Sequence, residues 1–139
     1  MVQILEMYDL FEVKQISPKK GKGLVAKTNI KRGTLLIVAH VILIPNREWE
    51  SIKDTILYNY TFIWDDPEKT GEYFNAIPLS ICQFINHSYK PNIYYLHNYE
   101  NLTLEFYSRR LIREGEELTV NYNGKTFDKA AVWFEVEEE

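Results

Sequence analysis

Residues 84–92 read Phe-Ile-Asn-His-Ser-Tyr-Lys-Pro-Asn, an apolar approach followed by a polar loop that ends in proline and asparagine. Taken alone, this stretch is typical of an ordinary turn in which the histidine is a hydrogen-bonded loop residue. Three other segments change that interpretation: Gly-Lys-Gly-Leu-Val-Ala at 21–26, Ile-Lys-Arg-Gly-Thr at 30–34, and Glu-Gly-Glu-Glu-Leu-Thr-Val-Asn-Tyr at 114–122. The order and spacing of the four segments therefore carry the prediction.

Between these segments the chain reads mostly as short strands joined by turns. Strand-like runs cover residues 10–16, 24–28, 34–44, 92–97, 102–107 and 117–122. Turns are expected at 21–23, 31–33 and 114–116, a hairpin loop at 98–101 and a helical turn near 79–85. One helix is predicted over residues 47–59 with Asn46 as its cap, because apolar side chains follow at helical spacing. The pattern predicts a mainly β fold with a short helical insert.

The composition restricts the classes of function. The chain has 139 residues, of which 45% are hydrophobic and 26% charged, as expected for a globular domain with its own core. One cysteine, Cys82, and three scattered histidines exclude an internal disulfide and a tetrahedral zinc site, so no metal is expected.

Charge and hydropathy restrict the partners. The formal net charge of −4 disfavours direct binding to nucleic acid and permits a lysine-rich peptide as partner. The N-terminus has no basic leader, and the apolar run Leu35–Pro45 is too short to span a bilayer. We therefore expect a soluble intracellular domain that does not contact a membrane.

Taken together, the four segments resemble the SET domain, whose pattern is Gly-x-Gly, a loop ending in glycine, Asn-His-Ser-x-x-Pro-Asn and Gly-Glu-Glu-Leu-Thr-x-x-Tyr. The resemblance spans about residues 10–123, and residues 124–139 look like the closing segment of small stand-alone members, so one domain over 1–139 is expected. The resemblance implies several small curved sheets and a C-terminal pseudoknot that brings residues 86–92 beside Tyr122. It also implies a protein lysine methyltransferase that uses S-adenosylmethionine and acts on a lysine-containing protein, such as a histone.

The resemblance assigns residues to the cofactor. Asn86 is expected near the methionyl amine and the backbone of His87 at the adenine. Around Gly23 the backbone can approach the cofactor closely, because glycine lacks Cβ. Near the C-terminus, Trp133 and Phe134 are expected either to pack on the adenine or to close the hydrophobic core. The residues expected to bind the cofactor are Lys22, Gly23, Leu24, Asn86, His87, Tyr122, Trp133 and Phe134.

Three tyrosines are assigned to the reaction or to the lysine channel. Tyr122 is the expected catalytic residue, with its hydroxyl oriented toward the transferring methyl and the target nitrogen. The alternative for Tyr122, a core residue at the end of a strand, is common in proteins generally. Tyr95 is expected to line the lysine channel. Tyr60, on the apolar stripe of the predicted helix, is explained equally well by a channel role and by a core role.

The sequence also departs from the family pattern. Many chromatin-linked members carry cysteine after Asn-His-Ser and a zinc-binding segment after the domain, whereas here Tyr89 stands at the first position and no cysteine follows Cys82. The end of the chain is therefore expected to close the channel without metal. The chain is expected to be able to form a homodimer, because so short a chain has little surface of its own with which to bind a peptide.

The sequence leaves two alternatives to an enzyme. The first is a non-catalytic SET-fold module that binds the cofactor or a lysine-containing peptide. The second is a structural domain that binds no cofactor. Intact Asn86, His87 and Tyr122 argue against both, because a degenerate module is expected to lose at least one of them.

Overall fold

The computed structural model describes residues 9–65, 68–122, 129 and 132. These residues form mostly strands, as predicted, with one α-helix and two 3₁₀ helices among them. The strands are β1 (Phe11–Ser17), β2 (Gly21–Ala26), β3 (Leu35–Pro45), β4 (Phe62–Ile63), β5 (Tyr73–Leu79), β6 (Asn86–His87), β7 (Ile93–Asn98), β8 (Thr103–Ser108) and β9 (Glu117–Val120). The helices are α1 (Asn46–Ile52) and the 3₁₀ helices Ile56–Tyr60 and Ile81–Phe84.

Residue contacts divide the chain into two compact units. The first unit comprises Met1–Ile37, Phe84–Leu96 and Glu105–Glu139, and the second comprises Val38–Gln83 and His97–Leu104. Each unit is built from segments that are distant in the sequence. The expectation of one domain over residues 1–139 stays a prediction.

The first unit holds a four-stranded sheet in the order β1-β2-β9-β6. The β1–β2 and β2–β9 pairs are antiparallel, and β9 pairs with β6 in parallel, with Asn86 opposite Thr119 and His87 opposite Val120. Leu24 of β2 lies directly opposite Leu118 of β9, so their side chains share one face of the sheet, where both are fully buried. Neighbouring positions on β2 and β9 face the opposite side.

The loop after β6 is fastened to β9 by Asn92, whose side chain is buried. Its Nδ2 donates to the carbonyl of Glu117, and its Oδ1 accepts from the N–H of Thr119, both at 2.8 Å. The N–H of Ser88 donates to the carbonyl of Val120 at 3.0 Å. Residues 86–92 therefore lie along β9, just before Tyr122, as predicted. The threading expected for the segment after Tyr122 falls on residues outside those described.

A second sheet has five strands in the order β4-β5-β3-β8-β7. Strand β3 pairs antiparallel with β5, placing His40 opposite Leu79, and β4 pairs antiparallel with β5. The β7 and β8 strands form the hairpin that the sequence predicts. Within the described residues, no helix has the length and apolar character needed to cross a membrane.

The predicted helix over residues 47–59 is wrong in its length. Helix α1 ends at Ile52, and a separate 3₁₀ helix follows at Ile56–Tyr60. The break lies at Thr55, which is extended, with its hydroxyl donating to the carbonyl of Ile52 and accepting from the N–H of Leu57. Such local side-chain bonds compete with a continuous helix. The Asn46 cap is also wrong, because Asn46 is the first helical residue and its Nδ2 donates to the carbonyl of Gly71.

Two further expectations fail for physical reasons. Residues 21–23 are not a turn but the start of β2, and the turn precedes them at 18–20. The apolar stripe of the predicted helix does not form a core face, because α1 and the 3₁₀ helix Ile56–Tyr60 bury none of their residues. The core role considered for Tyr60 is therefore wrong, since this side chain is 41% exposed.

Candidate active site

The site is built around the side-chain amide of Asn86, the first residue of β6. Its Nδ2 donates to Oε2 of Glu117 at 2.6 Å and to the carbonyl of Lys22 at 3.2 Å. Asn86 therefore joins three segments of the first unit, from β6, β9 and β2. The Gly-x-Gly segment and Asn86 are therefore in direct contact, and their expected roles toward the cofactor stay predictions.

The Glu117 carboxylate that accepts from this amide also forms a buried ion pair. Oε1 of Glu117 accepts from Nζ of Lys20 at 3.1 Å, and the two side chains are only 5% and 12% exposed. An ion pair with so little exposure is screened far less than one on the surface. Each oxygen of the carboxylate thus has its own partner, Lys20 on one side and Asn86 on the other.

Gly23 leaves the space that this arrangement occupies. A Cβ at residue 23 would lie 2.6 Å from Oε2 of Glu117, 2.8 Å from Cγ1 of Ile16 and 2.9 Å from Nδ2 of Asn86. These distances are too short for any side chain, so glycine is required here by contact rather than by backbone torsion. The neighbouring Leu24 is fully buried on the other face of the sheet, so only its backbone is available to a ligand.

His87 connects β6 to the end of β9. Its Nδ1 accepts from the backbone N–H of Tyr122 at 3.0 Å, which places the proton of the neutral ring on Nε2. The ring lies edge-on to two tyrosines, with centroids 4.4 Å from Tyr89 and 5.2 Å from Tyr122. The buried side chain thus positions Tyr122, and the expected contact of the His87 backbone with adenine stays a prediction.

Tyr122 directs its hydroxyl back toward the central motif. The hydroxyl donates to the carbonyl of Ile85 at 2.7 Å. Burial, together with the nearby charge of Glu117, raises the pKa of the Tyr122 phenol to about 12. The phenol therefore stays protonated in the neutral pH range, where it acts as an oriented dipole rather than as a base.

The two predicted channel tyrosines lie in different units. Tyr95 is a half-buried residue of β7 in the first unit, with its ring centroid 5.5 Å from that of the buried Phe106. Tyr60 ends a 3₁₀ helix of the second unit, where its carbonyl accepts from Nε2 of Gln83. Their roles in a channel stay predictions. Trp133 and Phe134, the predicted adenine contacts, lie outside the described residues.

Sequence reasoning missed three members of the site. The late motif includes Glu117 without giving it a role, no motif contains Lys20, and the sequence marks Tyr89 only as a replacement for cysteine. The signal for Glu117 was its position one residue before the buried Leu118, which places its side chain on the opposite face of β9. The contact of Lys20 with a residue 97 positions away has no local signal.

Comparisons with known proteins identify the family of the chain. A family model for the SET domain matches residues 21–123. A histone-lysine N-methyltransferase of Schizosaccharomyces pombe, specific for H3 lysine-37, is 27% identical over 120 residues, covering 86% of this chain and 74% of the relative.

A solved structure gives the same fold. The crystal structure of a Plasmodium falciparum protein, proposed to be a histone methyltransferase, superposes with a TM-score of 0.63 at 20% identity. The match covers 85% of this chain and 96% of that chain. At this level of identity the likeness bears on the fold alone.

Proposed function

This chain belongs to the SET-domain family of protein lysine methyltransferases, and we propose from this premise that it transfers a methyl group from S-adenosylmethionine to a lysine of histone H3. One observation carries the proposal. The backbone of Tyr122 is held by His87 and its hydroxyl by the carbonyl of Ile85, so the central and late motifs form one site. The alternative of a non-catalytic binding module is not favoured.

The residues present fit the amino-acid end of the cofactor. Both partners of the Asn86 Nδ2 are acceptors, so Oδ1 is the atom left to accept from an ammonium group. The absence of a Cβ at Gly23 keeps the β2 backbone close to the Asn86 amide. Lys22 and Leu24, on either side of this glycine, are proposed to contact the cofactor through their backbone groups. When bound, S-adenosylmethionine would supply an electrophilic methyl group on its sulfonium sulfur, and an amine can attack this methyl carbon in line, with the neutral thioether as the leaving group.

The target lysine must lose a proton before it can react. Its ordinary pKa is about 10.4, so only about one amine in a thousand is neutral near pH 7.4, which costs roughly 4 kcal/mol. An apolar channel lowers this pKa by desolvation. In the transfer a C–N bond forms as a C–S bond breaks, and the proton of the amine is lost to water.

Tyr122 orients the reacting groups. Its hydroxyl donates a hydrogen bond to the carbonyl of Ile85. The negative end of the O–H dipole, at the phenol oxygen, therefore points away from that carbonyl. Because the pKa of this phenol is raised to about 12, the group contributes that dipole without a net charge at neutral pH. A fixed dipole of this kind stabilises developing charge without reorganisation.

Histone H3 is the proposed substrate because the curated relative acts on H3 and because a chain of net charge −4 is attracted to a lysine-rich tail. Two expectations stay predictions: that the chain does not bind nucleic acid directly, and that it can form a homodimer.

The expected result of a transfer assay is incorporation of labelled methyl from S-adenosylmethionine into recombinant histone H3. Mass spectrometry then locates the modified lysine, and an H3 with that lysine changed to arginine should lose the label. Arginine has no side-chain amine that can become neutral and nucleophilic in the channel, so it should not accept the methyl group. Label in other proteins of a lysate, but none in H3, would contradict the substrate and leave the reaction intact. No label in either would contradict the function.

Tyr95→Phe is expected to shift the product from lower toward higher methylation. A channel hydroxyl, or a water bound to it, accepts from the amine and fills the volume that a further methyl needs. Removing it costs about 1 kcal/mol at the first methylation and favours the later ones. Mass spectrometry of a peptide substrate over a time course measures the ratio of mono-, di- and trimethyl products.

The matched control is Tyr94→Phe, on the adjacent position of β7, whose ring stacks on Tyr107 with centroids 5.5 Å apart. Because neighbouring residues of a strand face opposite sides, this change should leave the product ratio as in the wild type. Tyr60→Phe tests the other candidate in the same way. An unchanged ratio for Tyr95→Phe would make Tyr95 a packing residue.

A further inference from the structure

We propose that Glu117 is a positioning residue that holds the Asn86 amide in one of its two orientations and thereby makes the site selective for a ligand with an ammonium group. The inference rests on the proposed function, in which Asn86 meets the methionyl amine of the cofactor. It extends that function by naming what gives Asn86 its preference. An asparagine amide has a donor end and an acceptor end of nearly equal size, so its orientation must be set by its neighbours.

Both partners of the Asn86 amide nitrogen can only accept hydrogen bonds. They are the carboxylate of Glu117, at 2.6 Å, and the backbone carbonyl of Lys22, at 3.2 Å. A turn of the amide by 180° would place Oδ1 against both oxygens, acceptor facing acceptor. Glu117 and Lys22 therefore fix Oδ1 as the end that a ligand meets, and Oδ1 can bind only a donor.

Lys20 fixes the carboxylate in its turn. Its Nζ binds Oε1 of Glu117 at 3.1 Å, which leaves Oε2 for Asn86. The Glu117 side chain is 5% exposed, so water competes little for either oxygen. Hydrogen bonds to a charged group in such surroundings are stronger than neutral ones.

Gly23 completes the arrangement by providing room. A Cβ there would lie within 3 Å of both Oε2 of Glu117 and Nδ2 of Asn86, the two atoms of the fixing hydrogen bond. The glycine in β2 thus serves the Glu117–Asn86 pair as well as any close approach of a ligand.

This chemistry selects the ligand. An ammonium group donates to Oδ1 and carries the charge that a nearby carboxylate attracts, whereas a group that only accepts is opposed at the same place. Selectivity for the amine therefore depends on Glu117 through Asn86, while binding of the remaining parts of the ligand does not.

The test is Glu117→Gln, titrated by calorimetry with two ligands, S-adenosylhomocysteine and its analogue without the α-amino group. Lys20 retains the oxygen of the new side chain, whose amide nitrogen then faces Nδ2 of Asn86, donor against donor. The expected result is a loss of about tenfold or more in affinity for S-adenosylhomocysteine, as for a lost hydrogen bond to a charged group. Affinity for the amine-free analogue should stay close to that of the wild type.

The matched control is Glu116→Gln, the same change at the preceding residue. The Glu116 carboxylate pairs with Arg110 at 3.0 Å and makes no hydrogen bond to Asn86 among the described residues. Both ligands should bind this variant as they bind the wild type. Equal losses of both ligands in Glu117→Gln, or no loss of either, would overturn the inference alone. If the wild type bound neither ligand, the proposed function would be overturned as well.

A measurement on the wild type covers the case in which Glu117→Gln does not fold. The side-chain amide protons of Asn86, assigned in a ¹⁵N-labelled sample, should exchange slowly with water because both are hydrogen bonded. Exchange as fast as that of an exposed asparagine would overturn the inference without any variant.

Discussion

Tyr122→Phe is expected to lower kcat by about 100-fold or more and to leave the affinity for S-adenosylmethionine within a small factor of the wild type. The ring and its contact with His87 remain, whereas the hydroxyl that bonds the carbonyl of Ile85 is removed. The oriented dipole that we propose to act on the transferring methyl group is then lost. Single-turnover kinetics measures the step, and calorimetry with S-adenosylhomocysteine measures the binding.

The matched control for this variant is Tyr107→Phe, which removes a hydroxyl bonded to Glu105 at 2.8 Å on β8. That change should leave kcat as in the wild type. An unchanged rate for Tyr122→Phe would make Tyr122 a core residue and would contradict the assignment of the site.

The same assignment fixes the dependence on pH. The phenol pKa is raised from 10.0 to about 12, so below pH 10 Tyr122 is neutral in both the folded and the unfolded chain. The rate should therefore climb with the neutral fraction of the substrate amine, without a falling limb from Tyr122 until the pH nears 12. A raised pKa also contributes stability below pH 10 that is lost as the pH rises toward 12.

Asn86→Ala is expected to weaken binding of S-adenosylhomocysteine by about 10- to 150-fold, the range for a hydrogen bond of about 1.5–3 kcal/mol to a charged group. The variant removes the acceptor for the ammonium and also leaves Oε2 of Glu117 without its partner. Turnover at saturating cofactor should fall much less than affinity. Calorimetric titration gives the first quantity and steady-state kinetics the second.

The control is Asn98→Ala, in the β7–β8 hairpin, where the side chain accepts from the N–H of Asn101 in an exposed turn. That change should not alter the affinity for the cofactor. Binding of Asn86→Ala with wild-type affinity would remove Asn86 from the site.

The sequence predicted those parts of the fold whose signals are local. Alternation and turn residues marked most of the strands, including the β7–β8 hairpin. The helix was predicted too long because Thr55, at its break, has no strong signal in the sequence and acts only through its own hydroxyl. Strand β5 was missed because Tyr73–Leu79 contains Pro78, and a proline within a run argues against a paired strand.

The site was predicted through motifs and not through contacts. Asn86, His87 and Tyr122 were named because their motifs resemble those of a known family. The pairing of Lys20 with Glu117 depends on β2 and β9 becoming neighbours, which no local pattern specifies. The need for Gly23 was assigned to ligand approach, and the structure adds the contact with Glu117 and Asn86.

The parallel pairing of β6 with β9 has a consequence for how the chain folds. The segment between Asn86 and Thr119 contains the β7–β8 hairpin, so closure of this hairpin shortens the loop that the β6–β9 pairing must close. Contacts between residues distant in the sequence slow the folding of a small domain, because the loop between them must be closed first. We therefore expect the β6–β9 pairing, with the Asn92 hydrogen bonds to β9, to form after the β7–β8 hairpin. Tyr122, which follows β9 directly and donates its N–H to His87 of β6, is expected to be positioned in the same step.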